Sequence, residues 1–169
     1  MGSTPNGATN NKFKIYNEEM EFNKFDKTKV DLIPYVSSYL KGHPNTEILV
    51  GCDSQNRARK TTYAAVVALY SPGHGAHIIY RRWATPKERV RAVRLMNEVW
   101  SSVQVAEEIK NSGLPKPKWI DIDVNPSPKY KSNEVFNSAV GLCEGMGYDV
   151  RFKTIAPLCT SMADTLARH

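Results

Sequence analysis

Three β-rich runs follow one another with only short polar gaps: "EILVGCDS", "TTYAAVVALY" and "AHIIYRRWA". Runs rich in Val, Ile, Thr and Tyr, separated by polar or Gly/Pro clusters, read as strands joined by hairpins. "SPGHG" is the turn cluster between the second and third. The three together predict an antiparallel meander, so the rest of the chain must build onto a sheet that already exists.

The remainder alternates. A helical segment from about Pro86 to Ser112 carries Ala92, Leu95, Met96, Val99, Trp100, Val103 and Ala106 on a broad apolar face, which places Trp100 in the core. "KWIDIDVNP" reads as a fourth strand. "SPKYKSNEVFNSAVGLCEGMG" reads as a helix with Val135, Ala139, Leu142, Cys143 and Met146 on one face and glycines at its end. "YDVRFKTI" is a fifth strand and "PLCTSMADTLARH" a terminal helix. The order β-β-β-α-β-α-β-α predicts an α/β domain built on one mixed five-stranded sheet with helices on both faces. A chain of 169 residues suits one such domain. Residues 1–12, "MGSTPNGATNNK", read as a disordered leader, and 13–169 as the single domain with an N-terminal arm and helix. In that helix Val30, Ile33, Val36 and Leu40 have near-helical spacing, Pro34 falls inside the pattern and Gly42 stops it.

Composition excludes several classes. The longest clean apolar run, "AAVVALY", is far too short to span a bilayer. The leader has no apolar signal core, and Asn6 breaks the myristoylation pattern of its Met-Gly start. Cys52, Cys143 and Cys159 are odd in number and lack C-x-x-C spacing, so buried thiols in a reducing, cytoplasmic setting are expected. A net charge of +6 and a pI of about 9.2 suit a polyanionic partner without identifying it. His74 and His77 flank a turn with no second ligand pair, and are expected to be solvent-exposed rather than zinc-bound. Ser54 has no His/Asp relay, and the glycines make no phosphate-binding loop.

The acidic residues carry the chemistry. Asp53 sits where the first strand ends, and a buried carboxylate needs a partner. Asp121 and Asp123, two residues apart on the fourth strand, share one face, with Asp123 nearer the strand's end. If strands one and four are neighbours, Asp53 and Asp123 meet at the carboxyl end of the sheet, where ligands bind in such folds. Asp164 is expected to open the terminal helix and pack back over that end. A fourth acid from the long helix is Glu98 or Glu88: Glu88 fits the apolar face of a regular helix better, and an irregular "PKERVRAV" would favour Glu98. Clustered carboxylates require compensation, which divalent cations supply. Two ions about 4 Å apart can activate water and stabilise a leaving oxygen. Each acid also has a purely structural role to weigh: Asp53 in an Asx turn, Asp121 paired with Lys or Arg, and Asp164 with Ser161 in a capping box.

The segments "ILVGCDSQ", "RLMNEV", "IDIDVNP" and "SMADTLA", in that order, resemble the ribonuclease H-like superfamily, and more narrowly its YkuK-like (DUF458) family of unknown function. The resemblance runs from about Glu47 to the C-terminus. It matches the superfamily's acids to Asp53, Glu98, Asp123 and Asp164, and it selects Glu98 over Glu88. It implies a Mg²⁺- or Mn²⁺-dependent nuclease, with Asp53 bridging two ions, Asp123 and Glu98 on one and Asp164 on the other. Some members of the superfamily have lost catalysis, so the alternative is a non-catalytic nucleic-acid-binding or scaffold module. Ser54, Gln55, Arg57, Arg59 and Lys60, beside Asp53, are the candidate contacts to an RNA or DNA backbone; the bland reading of "NRARK" is a solvated hairpin loop. Arg81, Arg82, Lys129 and Lys131 would extend a basic track, and Tyr63, Trp83 and Tyr130 would offer stacking surfaces. His169, five residues beyond Asp164, is near enough in sequence to approach the site.

Overall fold

A computed structural model describes residues 20–152 and 158–168. The leader expected over 1–12, the end of "YDVRFKTI" and His169 lie outside the described residues. The elements are β1 Glu21–Asn23, β2 Lys29–Asp31, α1 Leu32–Gly42, β3 Glu47–Arg57, β4 Lys60–Ser71, β5 Gly75–Pro86, α2 Arg91–Asn111, β6 Trp119–Ile122, a 3-10 turn Lys131–Val135, α3 Phe136–Gly145, β7 Val150–Phe152 and α4 Leu158–Arg168.

One mixed sheet has the order β2-β1-β5-β4-β3-β6-β7. The meander β3–β4–β5 pairs antiparallel, and β6 and β7 add to β3 in parallel. All five expected strands are present, but the sheet has seven. The short strands β1 and β2 pair with each other and extend the β5 edge, where Asn23 pairs with Tyr80. Strands of three residues are too short to leave a period-two signal in a sequence.

β3 and β4 lie inside the sheet, covered on both faces, which is why they read as continuous apolar runs. The pleat still sorts them. Val50, Cys52, Tyr63, Ala65 and Val67 join the core beneath α1, α2 and α3, while Leu49, Ala64, Val66 and Ala68 pack against α4. All three cysteines are buried free thiols, as expected. Among the described residues no helix is long and apolar enough to cross a membrane.

Two local features position the site. First, α2 starts at Arg91, later than the expected Pro86, because β5 runs on through Pro86 and side chains hold the following residues extended. Thr61 Oγ1 accepts the Glu88 N–H at 2.8 Å and Asn56 Nδ2 donates to the Glu88 carbonyl at 2.9 Å. The helix then buries Leu95, Glu98, Val99, Ser102, Val103, Ala106 and Ile109. Trp100, expected in the core, is 45 % exposed. Second, α4 presents Cys159, Ala163 and Ala167, small side chains one turn apart, to the sheet. A Cβ at Gly51 would stand 2.7 Å from the Cys159 Cβ, so only glycine allows α4 to lie this close to β3.

Candidate functional site

β3 outlasts its partner on one side. Its parallel pairing with β6 runs Leu49 to Trp119, Val50 to Ile120 and Gly51 to Asp121, and then β6 ends at Ile122. Asp53 lies two residues beyond Gly51 on β3, and Asp123 two beyond Asp121, one residue past the end of β6. Asp53 is therefore inside a long strand, paired with Ala64, and neither the strand end nor the Asx turn describes it. The loop after Asp123 is fixed by Asn125, whose Oδ1 accepts the Ser127 N–H at 2.9 Å; Asn133 Nδ2 donates to the Pro126 carbonyl at 2.8 Å.

A cavity of about 380 Å³ opens where β6 leaves the sheet, and Asp53, Asp123, Asp164, Gln55, Arg94 and Arg168 are among the residues that line it. Asp164 sits in the middle of α4, not at its start as expected, and Ser161 does not cap the helix. Asp121 stands at that helix start instead: its Oδ2 accepts the Cys159 N–H at 2.8 Å, and both its oxygens bind Arg151 at 2.8 and 2.9 Å. With no exposure at all, Asp121 is the structural carboxylate of the pair, as its Lys/Arg-partnered reading anticipated.

Alternation along β3 divides the acidic residues. Asp53 and Gln55 face α4, where Gln55 Nε2 donates to Asp164 Oδ1 at 2.7 Å. Ser54 faces α2, where its hydroxyl donates to Glu98 Oε1 at 2.5 Å. Glu98 is buried at 3 % exposure and receives Arg94 Nη1 at 3.0 Å; that same nitrogen donates to Ser54 Oγ at 2.8 Å and the Ser54 carbonyl at 3.0 Å. The structure thus brings Asp53, Asp123 and Asp164 onto one cavity, and holds Glu98 behind β3. Glu88, outside the helix, is bound to the Val90 N–H at 2.8 Å.

The electrostatics follow from this crowding. Burial pushes the Asp53 carboxyl up to about 7, helped by the charges of Asp123 and Asp164 and by a hydrogen bond with Asp164 that only a protonated Asp53 can donate. Burial and the Asp53 charge push Glu98 well above the usual range, against Ser54 and Arg94. For Asp164, burial is outweighed by hydrogen bonds from Arg168 and Gln55, and its carboxyl falls below the ordinary value.

The donor set is anionic and all oxygen, which suits a hard cation such as Mg²⁺ or Mn²⁺. Among the described residues no three of His, Cys, Asp or Glu are grouped closely enough to hold one ion. The fit is therefore to an ion that takes one or two carboxylates and keeps several waters, as Mg²⁺ does.

The expected substrate contacts divide too. Arg57, Arg59 and Lys60 are exposed at the same end of the sheet as Asp53. Arg57 pairs with Lys60, so "NRARK" is mostly strand, turned by Ala58 and Arg59 alone. Gln55 lines the cavity, while the Ser54 hydroxyl is committed to Glu98. Lys129, Tyr130 and Lys131 are exposed in the segment after Asp123, and Arg82 is exposed on β5. Tyr63 is buried and stacks on Trp83 at 5.4 Å, with Arg81 over the Trp83 ring at 5.8 Å, so Tyr63 is core rather than a platform. His74 is exposed as expected, but half-buried His77 lies 2.7 Å from the Tyr35 hydroxyl at the opposite end of β4. Arg94 and Arg168 were missed. Their signal was present as acid–arginine spacing of four on a helix, Arg94 with Glu98 and Asp164 with Arg168.

An antiparallel meander extended by parallel strands, with carboxylates gathered where β3 and β6 part, defines a class of α/β protein. The comparisons assign it: the Ribonuclease H-like family model matches residues 31–168, and the chain belongs to that family. Among solved structures, ribonuclease H1 from the halophilic archaeon Halobacterium salinarum NRC-1 is similar at 15 % identity, over 72 % of this chain and 95 % of that one, with a TM-score of 0.40. Among curated proteins there is no match.

Proposed function

We propose that this chain is a divalent-metal-dependent nuclease that hydrolyses phosphodiester bonds of RNA or DNA in the cavity where β6 ends beside β3. The observation that carries the reading is the convergence of Asp53, Asp123 and Asp164 on one cavity, which opens where β6 ends beside the parallel strand β3. One or two of these carboxylates, Asp53 first among them, would hold each Mg²⁺ or Mn²⁺ ion, with water filling its remaining positions and Glu98 adding negative charge from behind Ser54. The bound ion would supply charge neutralisation and a more acidic attacking water. The chain's own residues do the rest. Gln55 steadies Asp164, the Asn125 and Asn133 hydrogen bonds fix the loop behind Asp123, and Arg57, Arg59 and Lys60 hold substrate phosphates at the rim. Three buried free thiols support a reducing, cytoplasmic setting.

A Mn²⁺ titration alongside cleavage of end-labelled RNA and DNA tests this. Asp53→Asn and Asp123→Asn are expected to lose Mn²⁺ affinity and cleavage together. Undiminished Mn²⁺ affinity in Asp53→Asn sinks the metal assignment. One observation favours the second reading, a non-catalytic nucleic-acid-binding module: both helical acids already carry arginines. Nucleic-acid binding without any Mn²⁺ site would decide for it.

A further inference from the structure

We propose that the sheet face on which α4 packs carries a track for a single nucleic-acid strand, running from the cavity over β4 and β5 to Phe25 in the β1–β2 turn, with Arg82 on a phosphate and Phe25 stacked on a base. The proposal rests on the reading of the chain as a nuclease, and goes beyond it by naming the form of the substrate and residues away from the acids that would hold it.

The pleat and the register lay out the track. Asp53, Ala64 and Arg82 form one row across β3, β4 and β5, and Ala64 packs against α4, which fixes the face to which Arg82 points. Two residues on, the row is Gln55, Thr62 and Ala84; two further, it is Arg57, Lys60 and Pro86. The middle row is low on β4 and β5, where Thr62 and Ala84 have short side chains. Exposed cations stand on either side of it, Arg82 on one and Arg57 and Lys60 on the other. Arg81 points to the opposite face, where it lies over the Trp83 ring.

Beyond Arg82 the same face carries an aromatic pair. Tyr80, two residues before Arg82, packs with the α4 cluster, and Phe25 rests on it with ring centroids 6.2 Å apart. Phe25 is 57 % exposed. The turn that presents it is held by hydrogen bonds: Asp26 Oδ1 accepts the Thr28 N–H at 2.9 Å, and the Lys24 carbonyl accepts the Lys27 N–H at 2.9 Å. A large ring fixed in water gains from a planar partner, and an unpaired base offers a π-face that a duplex keeps inside its stack. Charge favours the same occupant. Glu21 of β1 and Asp26 of the turn are already paired, with Lys29 at 2.8 Å and Lys24 at 3.4 Å. Among the described residues no acid is paired with Arg57, Lys60 or Arg82. Arg82 lies two strands from Asp53, about 10 Å away, so Phe25 would meet a base several nucleotides from the reacting phosphate.

Fluorescence anisotropy of the full chain tests this, with a labelled single strand of about 12 nucleotides and with the duplex of the same sequence. Ca²⁺ replaces Mg²⁺, so that binding is read without cleavage. The single strand is expected to bind about tenfold tighter than the duplex. Phe25→Leu should lower single-strand affinity about tenfold and leave duplex affinity unchanged, while Phe25→Tyr keeps the ring and the affinity. Arg82→Ala should reduce the slope of log affinity against log salt by about 0.7, and Arg81→Ala, which removes the same charge from the opposite face, should not. Equal affinity for strand and duplex, full affinity in Phe25→Leu, or the same loss of slope in both arginine variants overturns the proposal and leaves the nuclease reading standing. No binding of either nucleic acid by the wild type removes both. Sedimentation of the wild type and Phe25→Leu covers the remaining occupant: a dimer that Phe25→Leu dissociates assigns this face to a second copy of the chain, and the proposal fails.

Discussion

Asp53→Asn turns the crowding of the site into a stability measurement. The Asp53 carboxyl lies at about 7 in the fold against an ordinary 3.8. Some three pH units at about 1.4 kcal/mol each make its ionisation in the folded protein cost on the order of 4 kcal/mol. The cavity is open to water, and the charge is shared with Asp123 and Asp164, so about half of that, roughly 2 kcal/mol, is the expected effect. The direction is fixed by proton counting. Between pH 4 and 7 the folded state binds more protons than the unfolded one, so wild-type stability falls as pH rises through that window. Asparagine has the same shape, cannot ionise, and its amide can donate to Asp164. At pH 3, where Asp53 is mostly protonated in both states, variant and wild type should melt within a degree or two of each other. At pH 8 the variant should melt higher by about 4–8 °C, since each kcal/mol shifts a chain of this size by about 2–4 °C.

Mn²⁺ should reverse the order at pH 8. On the proposed metal role of Asp53, binding stabilises the wild type by mass action and the variant loses that gain. Thermal melts at pH 3, 6 and 8, with and without Mn²⁺ at the higher two, measure each contribution. A variant that melts at or below the wild type at pH 8 without metal refutes the claim that Asp53 is held in an unfavourable ionised state.

Replacing Arg57 and Lys60 together by alanine should weaken nucleic-acid binding and reduce the slope of log affinity against log salt by up to about two, read from fluorescence anisotropy; an unchanged slope returns these residues to plain solvation. Asp121→Ala should cost about 2–4 kcal/mol in urea unfolding, because it empties a fully buried site, leaves half-buried Arg151 without its carboxylate and frees the Cys159 N–H at the start of α4, and a loss under 1 kcal/mol would contradict that structural role. Gly51→Ala should cost about 1–3 kcal/mol by pushing α4 off the sheet, and Cys159→Ala should not rescue it, because the clash is with the Cβ that alanine keeps. Asp164→Asn should abolish metal-dependent cleavage with less than about 1 kcal/mol change in stability, since Asp164 is not a helix cap; wild-type cleavage would remove it from the site.

The central strands were legible because their chemistry is local. "EILVGC" and "TTYAAVVALY" are apolar throughout, and only a strand covered on both faces needs that. The alternation of helix and strand after them announced the parallel additions, and the chain belongs to the family that its sequence resembles. The reading of Asp121 as a carboxylate paired with Lys or Arg finds its partner in Arg151 on the neighbouring strand, though Asp121 is fully buried. Three-residue β1 and β2 had no period to show, and "PKERVRAV" gave only a hint that α2 would start late.

Tertiary structure alone decided how the acids are shared out. Sequence spacing put Asp53, Ser54 and Gln55 side by side, whereas the pleat sends Asp53 and Gln55 to α4 and Ser54 to α2. The late start of α2 carried Glu98 inward to Ser54 and turned Trp100 out to solvent. The Asp53 shift arises from burial and from acids far away in the chain, Asp123 and Asp164, so no window of sequence could report it. Hydrophobic periodicity is a property of neighbours along the chain, and charge compensation is a property of neighbours in space; the early end of β6 opens the cavity where the acids and arginines meet.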